Sequence, residues 1–326
     1  MISWRFPSRN ELCICFAHPA YRLADALTRR NTGLKHREVR SVDDLREGGR
    51  DAHVIVASGL WRNELLDTAA KLRFVQSISS GTEQYDEQRF RQKGVRLASA
   101  QGVNAHAVAE HAMALILALA RHLHTGRDNQ SARTWRGMIA DPAVREDELG
   151  GKTLLIVGLG RIGARLARLA KAFDVHVSGI KRDPSTGAGT ADAVYPLSEL
   201  PKLLSRADIV ALTCPLTDET ENLIDARTLA LMKPSAHLIN VARGRVVDEA
   251  ALIAALRAGQ IAGAGLDCTR EEPLPAESPL WSMTNVVLTP HTAGETRRYE
   301  DNVIDLLLEN FERLWRGEMV LRNQIV

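Results

Sequence analysis

The chain has 326 residues, 45% of them hydrophobic and 25% charged, a balance that excludes a disordered chain. Its 42 basic and 40 acidic residues leave a net charge of +2, so the overall charge gives no reason to invoke nucleic acid or a membrane surface as partner. The longest unbroken apolar run, residues 112–120, is far shorter than the roughly 20 residues a membrane span needs.

The N-terminal ten residues contain Arg5, Pro7 and Arg9 and no apolar stretch, so no secretory signal is read there. Residues 12–17, 53–58, 74–79 and 96–100 read as short strands, with amphipathic stretches at 21–30 and 63–71 between them. Residues 104–124 read as one helix of about 21 residues, spanning roughly 31 Å, with Val108, Ala112, Leu115, Leu119 and Leu123 near a 3.6-residue period. A second alternating unit begins at Lys152. Its strands are expected at 153–157, 175–180, 209–213, 237–241, 263–267 and 286–289. Its helices are expected at 162–173, 197–204, 226–231 and 249–258, with a last one at about 295–316. Strand–helix alternation in both halves implies two parallel sheets covered by helices on both faces.

Cys13, Cys15, Cys214 and Cys268 form no C-x-x-C pair, and no His cluster has zinc-ligand spacing. They read as buried free thiols in a reducing cytoplasm, and no metal is expected. Cys13 and Cys15 alternate and should share one face of a strand.

Gly158, Gly160 and Gly163 form a G-x-G-x-x-G loop after the strand TLLIV and before a helical pattern, the context that a dinucleotide site requires. The first glycine permits the tight turn, the second lets the backbone approach a pyrophosphate, and the third lets helix and strand pack closely. Twenty-odd residues on, where an acid would bond the ribose 2′-OH, the chain reads Lys181-Arg182-Asp183. Two cations there favour a 2′-phosphate and hence NADP over NAD. The alternative is a solvated basic strand end with Asp183 as the ribose acid.

Arg243, Glu272 and His291 each follow an expected strand, where ligands bind in an open α/β sheet. Singly, they read as a surface cation, an acidic turn and a turn or core residue. With a nucleotide site they are the set that hydride transfer to a 2-keto acid demands: a guanidinium for the carboxylate, a proton donor for the carbonyl oxygen, and a carboxylate to raise the donor's pKa.

The segments VGLGRIG, CPLTDET, NVARGRVVDEAAL, GAGLD, EEPLP and NVVLTPHTAG together resemble the D-isomer-specific 2-hydroxyacid dehydrogenase family, and the resemblance covers nearly the whole chain. It implies that a Rossmann cofactor domain (104–290) is inserted into a flavodoxin-like substrate domain (1–103 and 291–326), with the active site in a hinged cleft. It gives Arg243 the substrate-orienting role, makes His291 the acid-base and pairs Glu272 with it. It gives Asp267 the nicotinamide carboxamide. It places Arg161 and Ile162 in the phosphate loop, and Cys214, Pro215, Thr220, Val241, Ala242 and Ala293 along the cofactor. It assigns Ser80 and Gly81 as backbone donors to the substrate carboxylate. Family members are usually homodimers through the cofactor domain. The chain departs from the family at Cys268-Thr269-Arg270, where an aromatic is common, and at Lys181-Arg182. The basic pair resembles the NADP-using branch that includes glyoxylate and hydroxypyruvate reductases. The expected activity is reduction of such a small 2-keto acid. The alternatives are a short phosphoglycerate dehydrogenase and, in another class, a dinucleotide-sensing corepressor. Trp135 reads as a core or dimer-contact aromatic rather than a substrate shield.

Overall fold

The computed structural model describes residues 5–326; residues 1–4, part of the N-terminal stretch discussed above, lie outside the described residues. The chain divides into two compact units, one of Met1–Asn104 with Thr296–Val326 and one of Ala105–Glu295. The division falls five residues later than the expected second junction. Residues 291–295 stay with the second unit because the backbone N–H groups of Thr292 and Ala293 donate to Asp267 within it.

The first unit is built on β1 (Cys13–Ala17), β2 (Lys35–Val39), β3 (Val54–Ala57), β4 (Phe74–Ser77) and β5 (Arg96–Ala98), all parallel, in the order β2-β1-β3-β4-β5. This is the flavodoxin-like doubly wound order. The strands alternate with α1 (Leu23–Thr28), α2 (Val42–Gly48), α3 (Leu65–Thr68) and α4 (Glu87–Lys93). Side-chain alternation feeds two cores. Ile14 and Phe16 of β1 point to the layer of α1, while Cys15 and Ala17 point to that of α2, α3 and α4. The expected burial of the cysteines holds for Cys15, Cys214 and Cys268; Cys13, at the start of β1, is only half-buried.

The second unit opens with α5 (Ala105–Ala120) and α6 (Leu123–Ser131). The single 21-residue helix read from the sequence is thus two. His122 adopts the left-handed conformation at φ +49°, which ends the first, and the second, LHTGRDNQS, has no apolar face and buries nothing. Then come β6 (Thr153–Val157), α7 (Arg161–Lys171), β7 (His176–Ile180), β8 (Ala193–Tyr195), α8 (Leu200–Leu204), β9 (Ile209–Leu212), α9 (Ala226–Leu229), β10 (His237–Asn240), α10 (Glu249–Arg257), β11 (Gly263–Leu266) and β12 (Val286–Leu288). The seven parallel strands run β12-β11-β10-β9-β6-β7-β8, the Rossmann order extended by one strand. Leu154 and Ile156 of β6 pack toward α5 and α7, Leu155 and Val157 toward α8, α9 and α10. The last helix, α11 (Tyr299–Trp315), returns to the first unit and lays Val303, Ile304, Leu307 and Phe311 on the α1 side of its sheet.

The two strands absent from the sequence reading, β2 and β8, are both sheet edges. β2 reads KHREV and stays largely exposed, and β8 has three half-buried residues. Neither carries the apolar run that marks an internal strand. Among the described residues, no helix is long and apolar enough to cross a membrane.

Candidate active site

The strand order reverses between β6 and β9, and a crevice at the carboxyl ends of the strands opens at such a switch point. Gly158 follows β6 at φ +100°, and a Cβ there would stand 2.6 Å from the backbone of Cys214. Only glycine lets the two loops close this tightly. A Cβ on Gly163 would sit 2.6 Å from the carbonyl of Gly158, so helix α7 needs glycine to lie against its own loop. Gly160 differs: a Cβ there would meet nothing within 4 Å, so the loop faces open space. Gly160 is also the N-cap of α7 and offers no capping side chain. A helix N-terminus facing open space through a glycine suits a pyrophosphate, and the residues present fit a dinucleotide.

The remaining expected cofactor residues lie in the first turn of α7 and at or beyond the ends of β7, β9, β10 and β12. Arg161 and Ile162 form the first turn of α7. Cys214 is buried, which pushes its thiol pKa up to about 11 and keeps it inert. The hydroxyl of Thr220 donates to the carbonyl of Pro215 at 2.7 Å and closes the 214–220 loop. Val241 and Ala242 are buried at the end of β10, and Ala293 is buried beside Asp267. Lys181 and Arg182 follow β7, half-buried and exposed respectively. Asp183, beside them, accepts from both the backbone N–H and the hydroxyl of Ser185. Those bonds, with the Lys181 charge, hold its carboxyl below the usual range.

At the ends of β10, β11 and β12 the chemistry-bearing residues converge. Nδ1 of His291 lies 2.8 Å from Oε2 of Glu272. The other oxygen of Glu272 accepts the N–H of Thr269 at 3.1 Å, so the carboxylate is gripped from both sides. Donation of the Nδ1–H to Glu272 raises the pKa of His291 above 6.5, the Glu272 charge adds to the rise, and burial and the Arg243 charge only partly oppose it. Burial pushes the Glu272 carboxyl up, but His291, the Thr269 N–H and Arg243 outweigh it and hold it below the usual value. His291 itself has φ +55°, a left-handed conformation that costs a non-glycine residue on the order of 1 kcal/mol or more. The Asp267 carboxylate holds the next two N–H groups and so maintains the turn.

Arg243 is half-buried, with one guanidinium nitrogen on the carbonyl of Ala242. Two neighbouring residues place it. Asn240, fully buried, donates to the Arg243 carbonyl and accepts from the Ala242 N–H, stapling the turn after β10. Gly244 lies so close to the Glu272 loop that a Cβ would stand 1.9 Å from the carbonyl oxygen of Thr269. That approach brings the Arg243 turn against the loop carrying Glu272. The signal was present in the Asn and Gly that flank Val-Ala-Arg, but their purpose needs the partner loop. Arg270, the departure from the family pattern, turns outward to the side chain of Asn222.

Ser80 and Gly81 follow β4 in the first unit, at the carboxyl end of a parallel strand. Trp135 is 99% exposed and so is no core residue, and Trp281 is largely exposed with its indole N–H on the Pro275 carbonyl. A cavity of about 840 Å³ bounded by Phe6, Phe90, Arg96 and Trp315 contains none of the expected site residues. Among the described residues, no group of three His, Cys, Asp or Glu side chains could hold a metal ion.

Comparison with known proteins identifies the family. Residues 113–293 match the family model for the D-isomer specific 2-hydroxyacid dehydrogenase, NAD binding domain. A glyoxylate reductase from Pyrococcus furiosus is 39% identical over 274 residues, covering 82% of this chain and 80% of that protein. The TT0316 protein from Thermus thermophilus superposes with a TM-score of 0.83 at 32% identity, over 97% of this chain and 100% of that one. An NADPH-dependent glyoxylate/hydroxypyruvate reductase from Sinorhizobium meliloti, solved with NADP and malonate, gives a TM-score of 0.79 at 28% identity over 97% of each chain. The chain therefore belongs to the D-isomer specific 2-hydroxyacid dehydrogenase family, as an oxidoreductase that uses a nicotinamide cofactor.

Proposed function

We propose that the protein reduces a small 2-keto acid, such as glyoxylate or hydroxypyruvate, with His291 as acid-base and NADPH as the preferred cofactor. The observation that carries this reading is the His291–Glu272 pair at 2.8 Å, set beside Arg243 at the carboxyl ends of adjacent strands. The 158–163 loop would hold the cofactor, which when bound would supply the hydride for the keto carbon. Arg243 pairs its guanidinium with the substrate carboxylate and orients the carbonyl. Because Nδ1 of His291 is committed to Glu272, Nε2 faces the substrate and gives its proton to the carbonyl oxygen as charge develops there. Glu272 stabilises the imidazolium beforehand, which keeps the donor protonated to higher pH than an unpaired imidazole. In the oxidative direction the same nitrogen takes the proton back. Ser80 and Gly81 are proposed as backbone donors to a substrate carboxylate, Asp267 as acceptor for the cofactor's carboxamide, and the 158–163 loop as the pyrophosphate cradle.

The NADP preference rests on Lys181 and Arg182, with Asp183 engaged by Ser185 rather than poised for a ribose hydroxyl. The NADP-bound relative from Sinorhizobium meliloti supports it. Initial rates with NADPH and NADH against glyoxylate, hydroxypyruvate, pyruvate and 3-phosphohydroxypyruvate test the whole reading. Turnover favouring NADPH, with preference reduced at least about tenfold in Lys181→Ala/Arg182→Ala, is expected. NADH-favoured turnover overturns the role of the basic pair. Activity confined to the phosphorylated acid would make the enzyme a phosphoglycerate dehydrogenase, and binding without turnover would favour a sensor.

We also infer a homodimer through the second unit. Trp135, Met138 and Val144 are 99%, 102% and 56% exposed within one stretch, an apolar display that a second copy would cover. Free thiols, three of them buried, support a cytoplasmic location.

A further inference from the structure

We propose that His111, on α5, is a positioning residue that aims Asp267 at the carboxamide of the nicotinamide. The inference rests on the assignment of Asp267 made above and extends it to a residue with no assigned role.

Asp267 is 2% exposed, and its contacts are unevenly shared. Oδ1 accepts the Thr289 hydroxyl at 2.7 Å, the Thr292 N–H at 3.0 Å and the Ala293 N–H at 3.2 Å. Among the described residues, Oδ2 accepts only the Ala293 N–H, at 3.0 Å. One oxygen is therefore saturated, while the other keeps lone-pair capacity for an amide donor.

The hydroxyl that saturates Oδ1 is itself held. Nε2 of His111 lies 2.9 Å from the Thr289 oxygen and 3.5 Å from Oδ1. A hydroxyl has one proton, and an ionised carboxylate can only accept, so the Thr289 proton lies on the bond to Asp267. The Thr289 oxygen must then accept from His111, which makes Nε2 the protonated nitrogen. The chain runs His111 to Thr289 to Asp267, each bond polarising the next. α5 is otherwise apolar toward the sheet, burying Val108, Ala112, Leu115 and Leu119, so His111 is the polar group it offers at the ends of β11 and β12. Without the His111 donor the Thr289 rotor is free to leave Asp267, and the carboxylate is free to turn its saturated oxygen outward.

The test compares binding of NADPH with binding of 2′-phospho-ADP-ribose, which lacks the nicotinamide. In His111→Leu the affinity for NADPH should fall roughly three- to tenfold, with that for 2′-phospho-ADP-ribose unchanged. His111→Gln, whose amide nitrogen can donate in the same direction, should restore most of the difference. Nitrogen NMR of the ligand-free protein should show His111 as the Nε2–H tautomer. Equal loss for both ligands in His111→Leu, no selective loss while Asp267→Asn shows one, or an Nδ1–H tautomer would overturn the proposal. If Asp267→Asn itself leaves the nicotinamide contribution unchanged, the assignment of Asp267 fails instead, and the role of His111 with it.

Discussion

In the first unit, Gln76 of β4 and Asn310 of α11 are fully buried and satisfy each other. Asn310 donates to Gln76 Oε1 and to the carbonyl of Arg322, and accepts the Arg322 N–H. Gln76 donates to the carbonyls of Ser77, Ala98 and Ser99. In the second unit, Asn240 and Asp267 are equally buried, but both sit at strand ends. Asn240 spends its bonds on the turn carrying Arg243, and Asp267 leaves one oxygen only partly used. Both units carry polar groups into an apolar interior, where an unmade hydrogen bond costs about 1–3 kcal/mol. A network closed on itself locks a fold, here tying the returning helix to the sheet. A network with spare capacity, placed where the strands end, is free to meet a ligand, as proposed for Asp267.

The sharpest way to break this comparison is to remove chemistry without removing structure. His291→Asn should lower turnover by about 10²–10⁴-fold while leaving dinucleotide affinity near that of the parent, since the glycine loop is untouched. Steady-state rates and a binding titration check this together; retained turnover would refute the acid-base role. A change in the closed network should do the reverse. Asn310→Leu leaves Gln76 Oε1 and the Arg322 N–H without their partners and should cost about 1–3 kcal/mol in urea unfolding, with kcat per folded molecule unchanged. A fall in kcat without loss of stability would erase the distinction between the networks.

A smaller effect sharpens the site's electrostatics. The pKa of His291 is raised, so its protonated form persists to higher pH than for an unpaired imidazole. For reduction, kcat/KM should fall above the raised pKa, about tenfold per unit, at a higher pH than an unpaired imidazole would give; the oxidative direction should show the opposite limb. Glu272→Gln removes the largest cause of the rise, so the limb should move toward lower pH. A limb that stays in place would show that another group controls it.

Much of the second unit was legible because its internal strands are apolar on both faces and its glycines are read by backbone conformation. Gly158 and Gly163 follow from the shape of one turn, and β6 and β9 from runs of buried aliphatic residues. The edges were not legible. β2 is charged and exposed and is held by main-chain pairing to β1, to which any side chain contributes the same donors and acceptors. The break at His122 was also hidden, since the apolar rhythm carries through to Leu123 and only the backbone turn stops the helix.

The sequence alone determined the reaction family. Hydride transfer to a keto acid needs a glycine cradle, a guanidinium, an imidazole and a carboxylate, and each is announced by its type and by the strand it follows. Only the tertiary structure decided how the imidazole and carboxylate meet at 2.8 Å, why Gly244 admits no side chain, and which residues stand behind them. Asn240 reaches across its own turn, but Asp267, Thr289 and His111 come from separate elements as much as 178 positions apart. Hydrogen bonds between such distant residues depend on where the sheet and helices place them, and no local pattern in the chain encodes that position.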